Sequence, residues 1–251
     1  MTERSRRSFL RTAAVGGALT GGAVLLPGGL ARAAAVPAAP RTGASPDAVT
    51  LQVTNDSSAF EQFAVYQNDP DLGVYNVMSL AWFVKGAHPQ QTVQFQWQQD
   101  YSFLLFGKGG STITQSVNAD PSDLNQNQIA LTYTNGAYAL VPGRALGTAE
   151  LGSLYVDELV TVPVDGVGKV GIGMSGAALY AVQTEPNQEL VFTPHPTQHF
   201  WLTAGNFTPG ENLDIEEIST AVALDFVPGT PGLAVTLNRD STWSTSLLPT
   251  S

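Results

Sequence analysis

Short runs of alternating apolar and polar residues, separated by turn residues, fill the chain from Val49 onward. The clearest run is Thr92–Gln98, in which apolar residues alternate with amides. Period-2 alternation places the apolar side chains on one face of a strand and the amides on the other. The amide residues are Gln94, Gln96 and Gln98. This uncharged face, rich in hydrogen-bond donors and acceptors, suits sugar hydroxyls or a self-associating sheet edge, although an ordinary solvated face has the same pattern.

Similar β-rich segments recur along the chain, with almost no helical periodicity between them. Asn135-Gly136 separates two of them and is typical of a two-residue hairpin. Ser79–Val84 is apolar on both faces, which predicts a buried central strand. The strand candidates are Val49–Thr54, Phe60–Tyr66, Val77–Val84, Thr92–Gln98, Tyr101–Phe106, Ser111–Val117, Gln128–Tyr133, Ala137–Val141, Ser153–Val162, Lys169–Met174, Ala178–Thr184, Glu189–Thr193, His199–Thr203, Ala221–Phe226, Leu233–Leu237 and Thr242–Leu247.

This spacing of strands predicts an all-β fold, an antiparallel β-sandwich of jelly-roll-like arrangement. We expect at most one or two short helical turns. Thr208–Glu211 has the spacing of a capping box with proline at the first helical position. A strand through Leu213–Ile218 explains the following residues equally well, so a helical turn and an edge strand both remain open there.

The N-terminus has the pattern of a bacterial twin-arginine (Tat) export signal. The motif residues are Arg6, Arg7, Phe9 and Leu10. The apolar run Thr12–Leu26 that follows is short and glycine-rich, whereas a membrane-spanning helix needs roughly 20 apolar residues. The small residues of the predicted cleavage site are Ala31 and Ala33. We expect cleavage after Ala33, with a retained membrane anchor as the alternative.

Composition divides the chain into three parts. Residues 1–33 are the predicted signal peptide, and residues 34–48 are an Ala/Pro-rich flexible linker. Residues 49–251 are long enough to form a single β-sandwich domain. The chain has no cysteine, which excludes disulfides, thiolate metal sites and cysteine nucleophiles.

The charge balance is acidic. The chain carries 11 basic and 21 acidic residues, a formal net charge of −10. Removal of residues 1–33 leaves 6 basic and 20 acidic residues, a net charge near −14. Such a surface repels phosphate backbones and has no polybasic patch for anionic lipid. We therefore expect no nucleic-acid partner and, after cleavage, no membrane partner.

Gly171–Gly176 matches the G-x-G-x-x-G pattern and nearly matches a G-x-S-x-G nucleophile elbow. Both sites need a helix after the motif, whereas Ala178–Thr184 is typical of another strand. A bulge or a close backbone approach explains glycines of this density. We therefore assign no catalytic residue to this segment.

Histidine-dependent chemistry has few candidates, since the only histidines of the chain are His88, His195 and His199. His195 and His199 have H-x3-H spacing, but Pro194 and Pro196 exclude a regular helix there. A loop could still bring both imidazoles together on Zn²⁺ or Cu²⁺, with Glu189 or Glu211 as a further ligand. Loop histidines bonded to water or backbone are the alternative, and we expect no other cofactor.

Several blocks of the sequence resemble the rhizosphere-expressed RhiA protein family, and together they cover most of the chain after the leader. The blocks are Ala64–Asp71, Val77–Phe83, Phe95–Trp97, Asp100–Phe103, Val170–Gly176 and Leu190–Pro196. The resemblance implies a compact bacterial protein linked to life around plant roots. It brings no set of catalytic residues, and the export leader and linker are additions to it.

These observations favour a secreted, extracellular, non-catalytic binding or surface-associated protein that recognises glycans or other polar ligands through a sheet face. Its candidate contact residues are Gln94, Gln96 and Gln98. The alternative is a metal-dependent hydrolase or oxidase using His195 and His199. The Tat translocase and signal peptidase are the expected partners during export.

Overall fold

The computed structural model describes residues 48–68, 76–108, 110–143, 147, 149–164, 167–195, 199–216, 218, 220–227 and 232–249. All of them belong to the unit that spans residues 44–251. The predicted export motif, cleavage site and residues 34–47 of the linker lie outside the described residues, as do residues 69–71 of the block Ala64–Asp71.

The described residues form strands joined by turns and irregular segments, with no helix. The strands are β1 Val49–Asn55, β2 Glu61–Gln67, β3 Met78–Ser79, β4 Phe83–Ala87, β5 Thr92–Trp97, β6 Tyr101–Phe106, β7 Ile113–Ala119, β8 Gln128–Thr134, β9 Ala137–Pro142, β10 Leu154–Glu158, β11 Lys169–Met174, β12 Ala177–Gln183, β13 Gln188–Phe192, β14 Phe200–Gly205, β15 Ala221–Leu224, β16 Gly232–Leu237 and β17 Trp243–Leu247.

The strands form four sheets. Sheet 1 has the order β17-β16-β1-β5, and sheet 2 has the order β15-β14-β2-β4. Sheet 3 has the order β3-β12-β11-β6-β7, and sheet 4 has the order β13-β10-β8-β9. The pairs β1–β16 and β8–β10 are parallel, and the other pairs in these sheets are antiparallel. The predicted all-β, mainly antiparallel fold is confirmed.

The pairing pattern of the strands occurs twice. The first set of eight strands is β6–β13 in chain order. The second set is β14–β17 followed by β1, β2, β4 and β5, and its members pair with one another in the same pattern as those of the first set. Under this correspondence sheet 4 matches sheet 1, including the single parallel pair in each, and sheet 3 matches sheet 2 apart from β3. The second copy of the pattern is built from both ends of the chain, because β1 pairs with β16. Each position in sheet 1 therefore has a counterpart in sheet 4.

One apolar core receives the inward side chains of all four sheets. At its centre the rings of Trp82, Trp97 and Phe200 lie with centroids 5.1 to 5.5 Å apart. Trp82 Nε1 donates to the carbonyl oxygen of Met174 at 2.9 Å, which satisfies its buried donor. Aromatic side chains bury large areas, so this cluster contributes strongly to the core.

The segment Val77–Val84 is not the single buried strand that its apolar pattern predicts. It divides into β3 in sheet 3 and β4 in sheet 2, and the buried residues between them change partner at each step. The amide of Leu80 bonds to Leu179 O, that of Ala81 to Glu211 O and that of Trp82 to Val65 O. Apolarity on both faces here marks a crossing between sheets inside the core.

Two predicted turns have simple causes. Asn135 and Gly136 have φ of 53° and 82° and join β8 to β9, which confirms the predicted hairpin. The glycine-rich segment is likewise a hairpin between β11 and β12. A Cβ on Gly171 would lie 1.9 Å from the carbonyl oxygen of Tyr180. Close backbone approach explains that glycine.

The described residues between β14 and β15 form turns and a bridge rather than a helix or a full strand. The amide of Glu211 bonds to Thr208 O at 3.1 Å, so the predicted capping box is a tight turn. Asn212 forms an isolated bridge with Leu80. The described residues contain no helix of the length and apolarity needed to cross a membrane.

Candidate functional site

The outer surface of sheet 1 carries the predicted glutamine face and extends it over four strands. On β1 and β5 the inward positions are apolar except Asn55, and the outward positions are threonine or glutamine. Strands β16 and β17 continue the rows, and we call the whole surface the Gln/Thr face. Its residues are Thr50, Gln52, Thr54, Thr92, Gln94, Gln96, Gly232, Ala234, Thr236, Ser244 and Ser246.

Register arranges the Gln/Thr face in cross-strand rows. One row runs through Thr92, Thr54, Thr236 and Ser244. The next runs through Gln94, Gln52, Ala234 and Ser246. Neighbouring strands lie about 4.8 Å apart and successive outward residues about 6.7 Å apart, so four strands span roughly 14 Å. The face therefore offers a regular array of hydroxyl and amide groups.

Part of the hydrogen-bonding capacity of the face is used within the sheet. The hydroxyl oxygens of Thr54 and Thr92 lie 2.8 Å apart, and Gln96 Nε2 donates to Thr50 Oγ1 at 3.5 Å. The side chains of Gln94 and Gln96 are exposed. A threonine hydroxyl has one donor and two acceptor sites, and a glutamine amide has two of each. Donors and acceptors of both kinds thus remain for a ligand.

Charged groups border the Gln/Thr face without entering it. Lys85 Nζ donates to the backbone oxygen of Gln94 and lies 5.4 Å from the ring centroid of Phe95. Arg239 and Asp56 form an exposed ion pair of 3.8 Å beyond the ends of the strands. The face itself contains only uncharged residues, in a chain of net charge −10.

Gln98 lies at the margin of this surface. Strand β5 ends at Trp97, the last residue of the strand that has a partner on β1. Gln98 is exposed, and its backbone bonds to Ser175 instead, with N···Oγ and O···Oγ distances of 2.7 and 2.9 Å. The structure therefore brings Gln94 and Gln96 into the rows and leaves Gln98 beside the turn between β11 and β12.

Sheet 4 shows that the fold does not require this chemistry. There Asp157 lies directly opposite Glu189, at the positions that correspond to Gln52 and Gln94 in sheet 1. Like charges directly opposite each other on a sheet are destabilising. The two corresponding surfaces thus have different chemistry, one uncharged and one acidic.

A buried carboxyl group lies near the acidic pair. Glu158 is 1% exposed; its Oε2 accepts from the Glu185 amide at 3.1 Å, and its Oε1 has no hydrogen-bond partner. Burial raises the pKa of Glu158 to about 7; the Glu185 amide opposes this rise and the Glu185 carboxylate adds to it. The corresponding residue of sheet 1 is Val53. Residues 157–161 and 187–189 line a cleft of about 540 Å³ beside it.

The two histidines predicted as metal ligands do come together. The ring centroids of His195 and His199 lie 5.2 Å apart in an edge-on arrangement. Gln67 Nε2 donates to His195 O at 2.7 Å, and the Asn68 amide donates to His199 O at 3.0 Å. Among the described residues, no group of three His, Cys, Asp or Glu side chains could hold a metal ion. Neither Glu189 nor Glu211 therefore completes a site with the pair.

Comparison with known proteins extends over most of the chain. The RhiA family model matches residues 46–246. Protein RhiA of Rhizobium leguminosarum bv. viciae is 31% identical over 204 residues, covering 77% of this chain and 84% of the relative. No solved structure matches. The predicted leader lies outside the matched range, whereas all four sheets lie almost entirely inside it, and the chain belongs to the RhiA family.

Proposed function

We propose that the protein is a secreted, non-catalytic binding protein that recognises uncharged, hydroxyl-rich ligands such as glycan chains through the Gln/Thr face. The observation that carries the proposal is the array of threonine, glutamine and serine across the four strands of sheet 1, which only Gly232 and Ala234 of β16 interrupt. Sugar hydroxyls both donate and accept hydrogen bonds, and these side chains do the same.

Charge supports a neutral ligand. The chain has a net charge of −10, and Lys85 is the only cation that an observed contact places against the face among the described residues. A surface of this charge repels acidic polymers at low ionic strength. We therefore propose that neutral glycans bind more tightly than glycans that carry carboxylate or sulfate groups.

Binding to a glycan array, with the full chain and with Gln94→Ala/Gln96→Ala, tests the proposal. A net hydrogen bond is worth about 1 kcal/mol, so loss of two amides is expected to weaken binding about tenfold or more. Glu189→Ala is the matched control, because Glu189 is exposed at the position of sheet 4 that corresponds to Gln94. Equal binding by the double variant and the wild type would exclude this face. Gln98→Ala, at the margin, should have a smaller effect.

A second candidate function rests on the 5.2 Å separation of the His195 and His199 rings. Two imidazoles at this distance could hold Zn²⁺ or Cu²⁺ with water completing the shell, as a hydrolase or oxidase would need. Elemental analysis of the purified protein, with His195→Ala/His199→Ala beside it, separates the two candidates. Stoichiometric metal in the wild type that is absent from the variant would support a metal centre. A metal-free wild type would exclude the second candidate function.

The route of export is part of the proposal. The Tat translocase would read Arg6, Arg7, Phe9 and Leu10, and signal peptidase would cut after Ala33. Arg6→Lys/Arg7→Lys is expected to keep the protein inside the cell, whereas the same exchange at Arg41 should not. N-terminal sequencing of the exported protein measures the cleavage position and distinguishes a cleaved leader from a retained anchor.

A further inference from the structure

Among the described strands, β17 is the last of sheet 1, and one of its edges has no neighbour. The residues that flank β17 at each end, Thr242 and Leu248, bond toward β16. Leu248 N donates to Gly232 O at 3.0 Å, and Thr242 O accepts from Asn238 N at 2.8 Å. Hydrogen-bonding direction alternates along an antiparallel strand. The N–H and C=O groups of Trp243, Thr245 and Leu247 therefore point away from β16. In the described sheets no strand pairs with this edge of β17.

The corresponding edge in sheet 4 is closed by a side chain. Gln115 of β7 donates from Nε2 to Leu140 O at 2.8 Å and accepts from Leu140 N at 2.8 Å. Leu140 of β9 corresponds to Thr245 of β17 in the repeated pairing pattern. The same backbone position is thus capped in one half and uncapped in the other.

The exposed edge is complementary to itself. An antiparallel pair of two β17 strands centred on Thr245 places Trp243 opposite Leu247 and Ser244 opposite Ser246. In this register every free N–H and C=O of Trp243, Thr245 and Leu247 meets its counterpart across a two-fold axis. Apolar residues face apolar ones, hydroxyls face hydroxyls, and the side chain of Leu247 is 51% exposed.

Strand β17 also lacks the features that keep edges apart. Lysine, proline and bulges commonly protect an edge strand from pairing, and β17 has none of them. In a chain of net charge −10, five consecutive uncharged edge residues form a surface on which two copies meet without direct repulsion.

From this geometry we infer that two copies of the chain pair through β17 and form a symmetric dimer with one continuous eight-stranded sheet. The two Gln/Thr faces then lie on the same side, joined at Ser244 and Ser246 of each copy. One long polymer could contact both faces, which raises avidity without a new kind of contact. The dimer itself does not depend on the proposed glycan function.

Sedimentation equilibrium of the full chain tests the inference. The apparent mass is expected to rise with concentration from 26.4 kDa toward twice that value. Thr245→Lys brings two cations together on the two-fold axis and should leave only monomer. Thr245→Pro removes one N–H from each side of the new pair and none from the bonds to β16, so the fold should persist. Ser116→Lys, on exposed edge strand β7, is the control and should dimerise as the wild type does.

Hydrogen exchange distinguishes loss of the dimer from partial unfolding of a variant. Protection of the amides of Trp243, Thr245 and Leu247 should increase with protein concentration in the wild type. In Thr245→Pro, which has no amide N–H at position 245, protection of Trp243 and Leu247 should stay low. Protection at Ser244 and Ser246, which bond to β16, should be independent of concentration. A wild type that remains monomeric at all concentrations, or a dimer that both Thr245 variants retain, would overturn the inference.

Discussion

Replacing Glu158 by glutamine is expected to remove a pH dependence from the stability of the protein. The carboxyl group is 1% exposed and its Oε1 has no hydrogen-bond partner, so folding disfavours the charged form. Burial raises the pKa of Glu158 from its ordinary value of 4.5 to about 7. The folded state therefore holds its proton over a pH range in which the unfolded state releases it.

The sign and size of the effect of Glu158 on the free energy of unfolding follow from proton linkage. Because the folded pKa is the higher one, the contribution of Glu158 is fully present below pH 4.5 and is lost as the pH rises through 7. A difference of one pKa unit corresponds to about 1.4 kcal/mol, so this group lowers the free energy of unfolding by about 3 kcal/mol across the interval. Glu158→Gln keeps an acceptor for the Glu185 amide and never ionises.

Urea unfolding followed by tryptophan fluorescence at several pH values between 4.5 and 8 measures this difference. The wild type should lose stability relative to Glu158→Gln as the pH rises, and the variant should be the more stable of the two at pH 8. Glu189→Gln, on an exposed residue of the same cleft, serves as the control. Loss of the repulsion with Asp157 should raise its stability, but the fall in stability between pH 4.5 and 8 should match that of the wild type. Parallel pH profiles for the wild type and Glu158→Gln would refute the reasoning.

Three further changes have expected outcomes that thermal or urea unfolding can check. Gly171→Ala should destabilise the protein severely, because the new Cβ would lie 1.9 Å from the Tyr180 carbonyl oxygen; an unchanged midpoint would contradict this close approach. Trp97→Ala should cost about 3 to 5 kcal/mol through the cavity left among the core aromatic rings, with unchanged stability as the contrary result. Gln115→Ala should cost about 1 to 3 kcal/mol by leaving the backbone groups of Leu140 unpaired. Gln115→Glu should recover only part of this stability, because a carboxylate accepts from Leu140 N but cannot donate to Leu140 O.

Local patterns were sufficient to locate the strands. Every predicted strand overlaps an observed one, because alternation and turn residues act over a few neighbouring positions. The Asn135-Gly136 hairpin was predictable for the same reason. The exception, Val77–Val84, shows the limit of such patterns: apolar residues on both faces fit a central strand and a crossing inside the core equally well.

Pairing between distant strands could not be read in the same way. Alternation within β1 predicts which of its residues face outward, but nothing local indicates that β16, at the other end of the sequence, lies beside it. The full extent of the Gln/Thr face was hidden for this reason, although Gln94 and Gln96 were predicted. Burial of Glu158 was predictable from the alternation of β10, because it lies two residues after Val156 and therefore points to the same face of the sheet.

The parallel pair of β1 with β16 has a consequence for how the protein acquires its structure. Two of the four strands under the Gln/Thr face come from residues 232–247, so this sheet cannot close until nearly the whole chain has left the ribosome. Strands β6–β13 need no such delay, because their partners, apart from β3, all lie between residues 101 and 192. Contacts of such high sequence separation slow folding. A ribosome stalled before residue 232 should therefore carry an ordered middle portion and an unassembled binding surface.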